Sequence, residues 1–318
     1  MKEKILGILK HHDNYISGED ISGKLGISRA AVWKHIHQLR DDGFDIAAVP
    51  HLGYRLEALP DKMFASEISW QLNTKVIGAK IYTYESVPST MDIAFDLAVK
   101  GAAEGVVVCA EAQTKGRGRL GRHWYSPKDS GLYFSFILRP PILPAQAPKL
   151  TLLAAVSTCL AIRNMAGLPV LIKWPNDILI KEKKLGGILT ELNAETDRIK
   201  FVVVGIGINV NTAKHNLPAH AVSLKEALGK SVSRVDLLKE ILRQLDKDYL
   251  LFKKEGFHPI VEQWRQFSAT LGCRVKVLCQ KEHIEGEAVD VDTDGGLLIR
   301  KDSGFVEKIM SGDVVKVR

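Results

Sequence analysis

The run Glu111-Ala-Gln113-Thr-Lys-Gly116-Arg-Gly-Arg-Leu-Gly121-Arg122 decides between folds. It follows an apolar stretch, 105–110, that reads as a strand, and Gly116 to Gly121 formally spells GxGxxG. A dinucleotide-binding fold needs the third glycine to open a helix. Here the chain continues His123-Trp-Tyr-Ser-Pro127-Lys-Asp-Ser-Gly131, which is no helix, and no carboxylate ends a second parallel strand at the right distance. The Rossmann reading is set aside. A phosphate-binding P-loop fares worse, because Gly229-Lys230-Ser231 has Leu224 where the first glycine belongs. What remains is three arginines, Arg117, Arg119 and Arg122, on a backbone freed by glycines. Such a segment is expected to be mobile when empty and to fold over a phosphate with forked donors; a solvated basic loop is the plainer alternative.

Outward from this loop the chain reads as α+β. Strands are expected over 80–85, 105–110, 132–138, 170–174, 178–180, 187–192 and 201–209. Helices are expected after Ser89, over 149–165 with Gly167 as its stop, and from Ser233-Arg-Val-Asp236 to about 254. Lys173-Trp-Pro-Asn-Asp177 sets a cation and a carboxylate around a proline turn between strands. Lys183-Lys184-Leu-Gly-Gly187 places lysines just ahead of a glycine-opened strand. Gly205-Ile-Gly-Ile-Asn209 has glycines where a ligand or another backbone must come close. Each run alone is also compatible with ordinary packing and turn chemistry.

The first 60 residues follow another pattern. Residues 2–10 read as a helix facing inward through Ile5, Ile8 and Leu9. Ser17 caps a second helix carrying Ile21 and Leu25, which Gly26 stops. Ser28 caps a third, with Val32, Ile36 and Leu39 inward and Arg29, Lys34, His35, Gln38 and Arg40 on other faces. Two helices joined by a short turn, the second basic, make a helix-turn-helix, and strands over 45–49 and 54–56 around Pro50-His51-Leu52-Gly53 read as a wing. A helical interaction domain that never meets DNA is the alternative.

The 318 residues suggest two or three domains, at roughly 100–200 residues each. With 46% apolar and 25% charged residues, disorder, collagen and coiled coil are excluded as the whole answer. The net charge of +7 is central: residues 1–60 hold 8 Lys+Arg against 8 Asp+Glu, residues 61–271 hold 28 against 20, and residues 272–318 hold 8 against 9. An anionic ligand in the middle segment fits that excess, as does a solvated surface. No apolar run approaches the ~18 residues of a membrane span, and the N-terminus lacks a signal-peptide core, so a cytoplasmic protein is expected. Cys109, Cys159, Cys273 and Cys279 have no zinc spacing; Cys273 and Cys279 share one parity with Val275 and Val277 and are expected to be buried thiols. The histidines show no metal-ligand spacing either.

Taken together and in this order, Ser89-Thr90, Gln113 with the Arg/Gly loop, Lys173-Trp-Pro-Asn-Asp177, Lys184-Leu-Gly-Gly187 and Gly205-Ile-Gly-Ile-Asn209 resemble the biotin–protein ligase family in its bifunctional form, ligase plus repressor of biotin operons. The resemblance spans essentially the whole chain. One departure is Met91, where many relatives carry Asn. The resemblance implies an α+β multidomain fold: a winged helix-turn-helix over 1–60, a central mixed-sheet α/β ligase domain over 61–271, and a small SH3-like β-barrel over 272–318. Short strands over 274–279, 284–291, 296–300, 305–309 and 314–317 suit that barrel. It implies ATP-dependent formation of biotinyl-5′-AMP and transfer of biotin to a carrier lysine, with Lys184 and Arg119 catalytic. Biotin would be held by Ser89, Thr90, Met91, Gln113, Gly116, Arg117, Gly118, Arg119, Lys184 and Gly187. The nucleotide would be held by Arg119, Arg122, Trp124, Lys173, Asn176, Asp177 and Asn209. Biotin and ATP would be the substrates, Mg2+ would accompany the nucleotide, and no metal site of the protein's own is expected. Implied partners are a biotin carboxyl carrier protein, operator DNA through Gly18, Ser28, Arg29, Ala30, Lys34 and His37, and a second copy of the chain on adenylate binding, with no membrane. Two alternatives remain. A sensor with a dead ligase domain is opposed by the intact Arg119, Lys173 and Lys184, and a lipoate- or octanoyl-handling relative by the Arg/Gly loop.

Overall fold

The computed structural model describes residues 1–278 and 283–316. The chain falls into two compact units, Met1–Lys62 and Met63–Arg318.

The first unit has helices α1 (Lys2–Lys10), α2 (Gly18–Leu25) and α3 (Arg29–Asp41) and a hairpin of β1 (Asp45–Val49) and β2 (Gly53–Ala58). Both expected caps form: Ser17 accepts from the Asp20 amide and Ser28 from the Ala31 amide. Gly26 closes α2 in the left-handed conformation, at φ 65°. Val32, Ile36 and Leu39 are buried as read, but α1 turns Leu6 rather than Ile8 fully inward. The hairpin is held to the helices by a two-way backbone bridge between Ile16 and Tyr54. Gly53 makes that bridge sterically feasible: its φ is +107°, and a Cβ there would lie 2.1 Å from the Ile16 carbonyl oxygen.

The second unit is built on a seven-stranded mixed sheet. Its elements run α4 (Ala65–Ser69), β3 (Lys80–Val87), α5 (Thr90–Val99), β4 (Val106–Gln113), β5 (Leu132–Leu138), α6 (Pro148–Ala166), β6 (Leu171–Lys173), β7 (Asp177–Ile180), β8 (Lys183–Ala194), β9 (Ile199–Ile208), α7 (Leu224–Leu228), α8 (Arg234–Glu255) and α9 (His258–Phe267). The strand order is β3-β4-β5-β9-β8-β7-β6; only β3 and β4 are parallel, joined through α5. After β4 the Arg/Gly segment makes a short 3-10 turn, Arg119–Gly121, and no helix, in line with setting the dinucleotide fold aside. One sheet face packs on α6, α8 and α9 through residues such as Val202, Val204, Ile206 and Ile208. The other packs on α5 through Phe201 and Val203. The segment Pro144–Ala166 is long and apolar enough, by length and composition, to cross a membrane, but 72% of its most apolar window is buried inside the protein, as a core helix is. The sequence reading understated its apolar character because Lys149 and Arg163 interrupt it.

The remaining strands, β10 (Arg274–Leu278), β11 (His283–Val291), β12 (Leu297–Arg300), β13 (Val306–Ile309) and β14 (Asp313–Lys316), form an antiparallel sheet in the order β13-β12-β11-β10-β14. The winged helix-turn-helix, mixed central sheet and small C-terminal antiparallel β unit are therefore all present. The small sheet is tied to the large one: the Trp174 indole donates to the Gly295 carbonyl at 3.1 Å, and Lys149 pairs with Asp294 at 3.4 Å. Cys109 and Cys159 are buried free thiols, and Cys273 is only half-buried beside Val275 and Val277. Cys279 and Val317, the ends of two expected strands, lie outside the described residues.

Candidate functional site

Side chains alternate across a strand, and β9 uses that alternation to make room. Phe201 and Val203 cover α5, and the next two positions on the same face are Gly205 and Gly207. A Cβ on Gly205 would lie 2.5 Å from Met91 Sδ, and one on Gly207 2.5 Å from Trp124 Nε1. The two glycines thus vacate a cavity of about 440 Å³ above the sheet, the size of a small-molecule site.

At one end the cavity is polar and pre-ordered. Ser89 caps α5 through the Met91 amide at 3.3 Å. The Thr90 amide and hydroxyl both donate to Gln113 Oε1, at 2.8 and 3.1 Å, and Thr90 also meets Ser135 at 2.8 Å. Gln113 Nε2 donates to Ser126 at 2.9 Å, so every group is aimed by a second one. Met91 lies with the apolar wall against Gly205.

Cations gather in the middle. Lys184 Nζ is 2.6 Å from Asp177 Oδ1 and 5.5 Å from the centroid of the Trp124 ring. Lys184 does not precede the strand, as the glycines suggested; β8 begins at Lys183, so Lys184 is held in the ladder opposite Leu179. Arg119 donates to Asn176 Oδ1 and to the Gly312 carbonyl, each at 3.2 Å, and lies 3.5 Å from Asp313. Burial pulls its guanidinium below the usual arginine value, against the pull of Asp313 and Asp177. Arg117 pairs with Asp92 at 2.8 Å and Glu191 at 3.1 Å, and Arg122 pairs with Asp313. In this arrangement each loop arginine has a carboxylate of the chain beside it, an anion partner that sequence reading had assigned to the ligand alone.

At the far end Asn209 is buried and donates to the Val222 carbonyl at 3.3 Å. The Lys184 amide donates to the His220 carbonyl at 2.8 Å, and the Val222 amide to the Lys184 carbonyl at 3.0 Å, pinning the 210–223 loop along the cavity. Trp124 is on the cavity wall, and its Nε1 is buried against Gly207 with no hydrogen-bond partner among the described residues.

Of the small-molecule residues expected from sequence, all line this cavity except Gly116. Gly116 sits just behind it: a Cβ there would press on the Trp124 carbonyl oxygen at 2.4 Å. Lys173, Gly118 and Gly187 are on the wall. The expected DNA residues fall in the other unit: Gly18 opens α2, Ser28 caps α3, and Arg29, Ala30, Lys34 and His37 are on α3. Among the described residues no group of three or more His, Cys, Asp or Glu is placed to hold a metal ion. Sequence reading missed Asp313, Tyr125, His123, Glu182, Pro218 and His220, which also line the cavity. For Asp313 no local signal existed, since it lies 191 positions from Arg122.

Comparison with known proteins agrees with this geometry. Residues 83–209 match the biotin/lipoate A/B protein ligase family, residues 2–55 an HTH domain, and residues 270–317 the biotin protein ligase C-terminal domain. The chain is 41% identical to the bifunctional ligase/repressor BirA of Bacillus subtilis, over 95% of this chain and 94% of that one. It is 32% identical to the protein of the same name from Escherichia coli, over 98% and 95%. Among solved structures it is similar to the biotin protein ligase of Aquifex aeolicus in complex with biotin and ATP, with a TM-score of 0.65 and 32% identity over 76% of this chain and 99% of that one.

Proposed function

Since the chain belongs to the family of bifunctional biotin–protein ligases and repressors, we propose that its cavity joins biotin to AMP and passes biotin on to a protein lysine, while α3 binds operator DNA. The observation that carries the ligase reading is the convergence of Lys184, Arg119, Asn176 and Asp177 between a polar pre-ordered end and the Asn209 end of one cavity.

In the first step a biotin carboxylate oxygen attacks the α-phosphorus of ATP, and the bond to pyrophosphate breaks. In the second, a carrier lysine amine attacks the acyl carbon, AMP leaves and the amine loses a proton. The reaction needs little covalent work from side chains, so positioning and charge neutralisation carry it. Ser89, Thr90, Gln113 and Gly187 hold the biotin end, with Met91 as its apolar wall and Gly116 packed behind against Gln113 and Ser126. Arg117, Gly118 and Arg119 close over the carboxylate and phosphate. Lys184 neutralises the acyl-phosphate, held at the reacting centre by Asp177. Arg122, Trp124, Lys173, Asn176 and Asn209 hold the nucleotide. Mg2+ neutralises phosphate charge in such reactions. The cavity carboxylates Asp177, Asp313 and Glu182 are each paired with a cation of the chain, so a metal would enter with the nucleotide rather than occupy a site built by these side chains.

The carrier is a biotin carboxyl carrier protein, and the setting is the cytoplasm, where ATP, carrier and DNA coexist. Adenylate competes with the carboxylates now beside Arg117, Arg119 and Arg122, so its binding rearranges that loop and favours a homodimer that presents two recognition helices. Mass spectrometry of a carrier domain incubated with protein, ATP and biotin tests the ligase reading: one added biotinyl group is expected, and an unmodified carrier overturns it. A lipoate titration beside the biotin one tests the substrate.

A further inference from the structure

Helix α3 carries two stripes back to back. Val32, Ile36 and Leu39 face the core and are buried. Ala30, Trp33, Lys34 and His37 recur at the same three- and four-residue spacing on the opposite side. Trp33 is 58% exposed, the most exposed large apolar side chain in Met1–Lys62. A tryptophan buries roughly 150–250 Å² when it finds a partner, and here it forgoes most of that. A single exposed apolar side chain on its own says little. This one is also posed: its ring lies against His37, with centroids 4.0 Å apart and the planes tilted at 55°. Its surroundings select a class of partner. Arg29 and Lys34 flank it, neither makes an ion pair among the described residues, and α3 has no carboxylate before Asp41.

An apolar plate framed by cations fits a surface that is anionic at its rims and apolar at one spot between them. In duplex DNA that spot is the thymine C5-methyl group in the major groove. We infer that Trp33, braced by His37, reads thymine methyl groups, so that Trp33 sets base preference while Arg29 and Lys34 grip phosphates. The inference rests on the DNA-binding reading of α3 and adds its specificity element.

The test uses the full chain with biotin and ATP and a pool of duplexes with a randomised centre. Binding is selected for the wild type, Trp33→Ala and Trp33→Phe, and the wild-type winners are then remade with deoxyuridine for thymine, one position at a time. Loss of the contacted methyl should weaken wild-type binding up to roughly tenfold, within the range of a single mismatched pair, and leave Trp33→Ala unmoved. Trp33→Phe keeps part of the preference, and the salt dependence is the same for all three because the phosphate contacts remain. If the wild type selects a site and Trp33→Ala selects the same one with equal affinity, or both respond equally to deoxyuridine, the inference is overturned while DNA binding stands. If the wild type selects no sequence, the DNA reading and the inference fall together.

Discussion

The Arg/Gly loop and helix α3 both present arginine and lysine to an anion, but they hold those cations in opposite ways. In the loop, Arg117, Arg119 and Arg122 already lie against Asp92, Glu191 and Asp313. On α3, Arg29 and Lys34 have no ion-pair partner among the described residues and project from a helix fixed by its buried side. An anion at the loop competes with carboxylates of the protein for the arginines. A duplex at the helix displaces mainly salt ions, so binding there depends on ionic strength. The first arrangement suits a site that must report occupancy, the second a site that must find its target quickly.

The largest expected effect tests the loop side. Arg119→Ala and Lys184→Ala should each slow adenylate formation by a factor of hundreds, about 3–4 kcal/mol, read as single-turnover pyrophosphate release, with the fold intact by circular dichroism. Near-normal rates in both would remove the reacting centre from this cavity. Asp313→Asn should have a smaller effect, because Arg119 keeps the Gly312 carbonyl and Asn176. A drop of roughly tenfold is expected, in line with loss of one charged contact. No change would mean that the Asp313 carboxylate does not help to place the loop.

On the helix side, Lys34→Ala should lower the salt slope of DNA binding by about one ion and leave pyrophosphate release untouched. An equal loss of ligase rate would erase the contrast between the two regions. The smallest effect concerns a carboxylate with neither arrangement. Asp248 is buried between α6 and α8, bonded to Ser157 at 2.7 Å and Gln244 at 2.9 Å, and burial raises its pKa. An acid raised on folding favours the folded state below its unfolded-state value and loses that contribution as pH rises through the folded one. Asp248→Asn should therefore gain stability over the wild type at pH 7 and show little or no gain near pH 4, measured by urea unfolding at both. A gain independent of pH would show that ionisation is not the cause.

Much of this was legible before folding. The caps at Ser17, Ser28 and Ser89 and the stop at Gly167 are local hydrogen-bond and steric effects, and they appear where the residues put them. Helix α9 is less legible although Ile260, Val261, Trp264 and Phe267 carry a helical period, because it follows directly on the Gly256 stop of α8 and has no side-chain cap to mark its start. The carboxylates beside the loop arginines were out of reach for another reason: glycine content speaks of backbone freedom but not of which distant carboxylates lie within reach.

The order of motifs and the alternation of β9 are properties of the chain itself, since hydrophobic period and turn chemistry act over a few residues. Phe201-Val-Val-Val-Gly205-Ile-Gly207 already states that one strand face fills and then empties. Tertiary structure alone decided what stands around the emptied space. Asp313 meets Arg119 and Arg122 only because the small sheet is tied to the large one at Gly295 and Asp294. Buried Glu111 likewise meets Arg234 only because α8 lies against the large sheet. Pairings such as these depend on where whole elements dock, and docking is set by the summed burial of many side chains rather than by any short run of them.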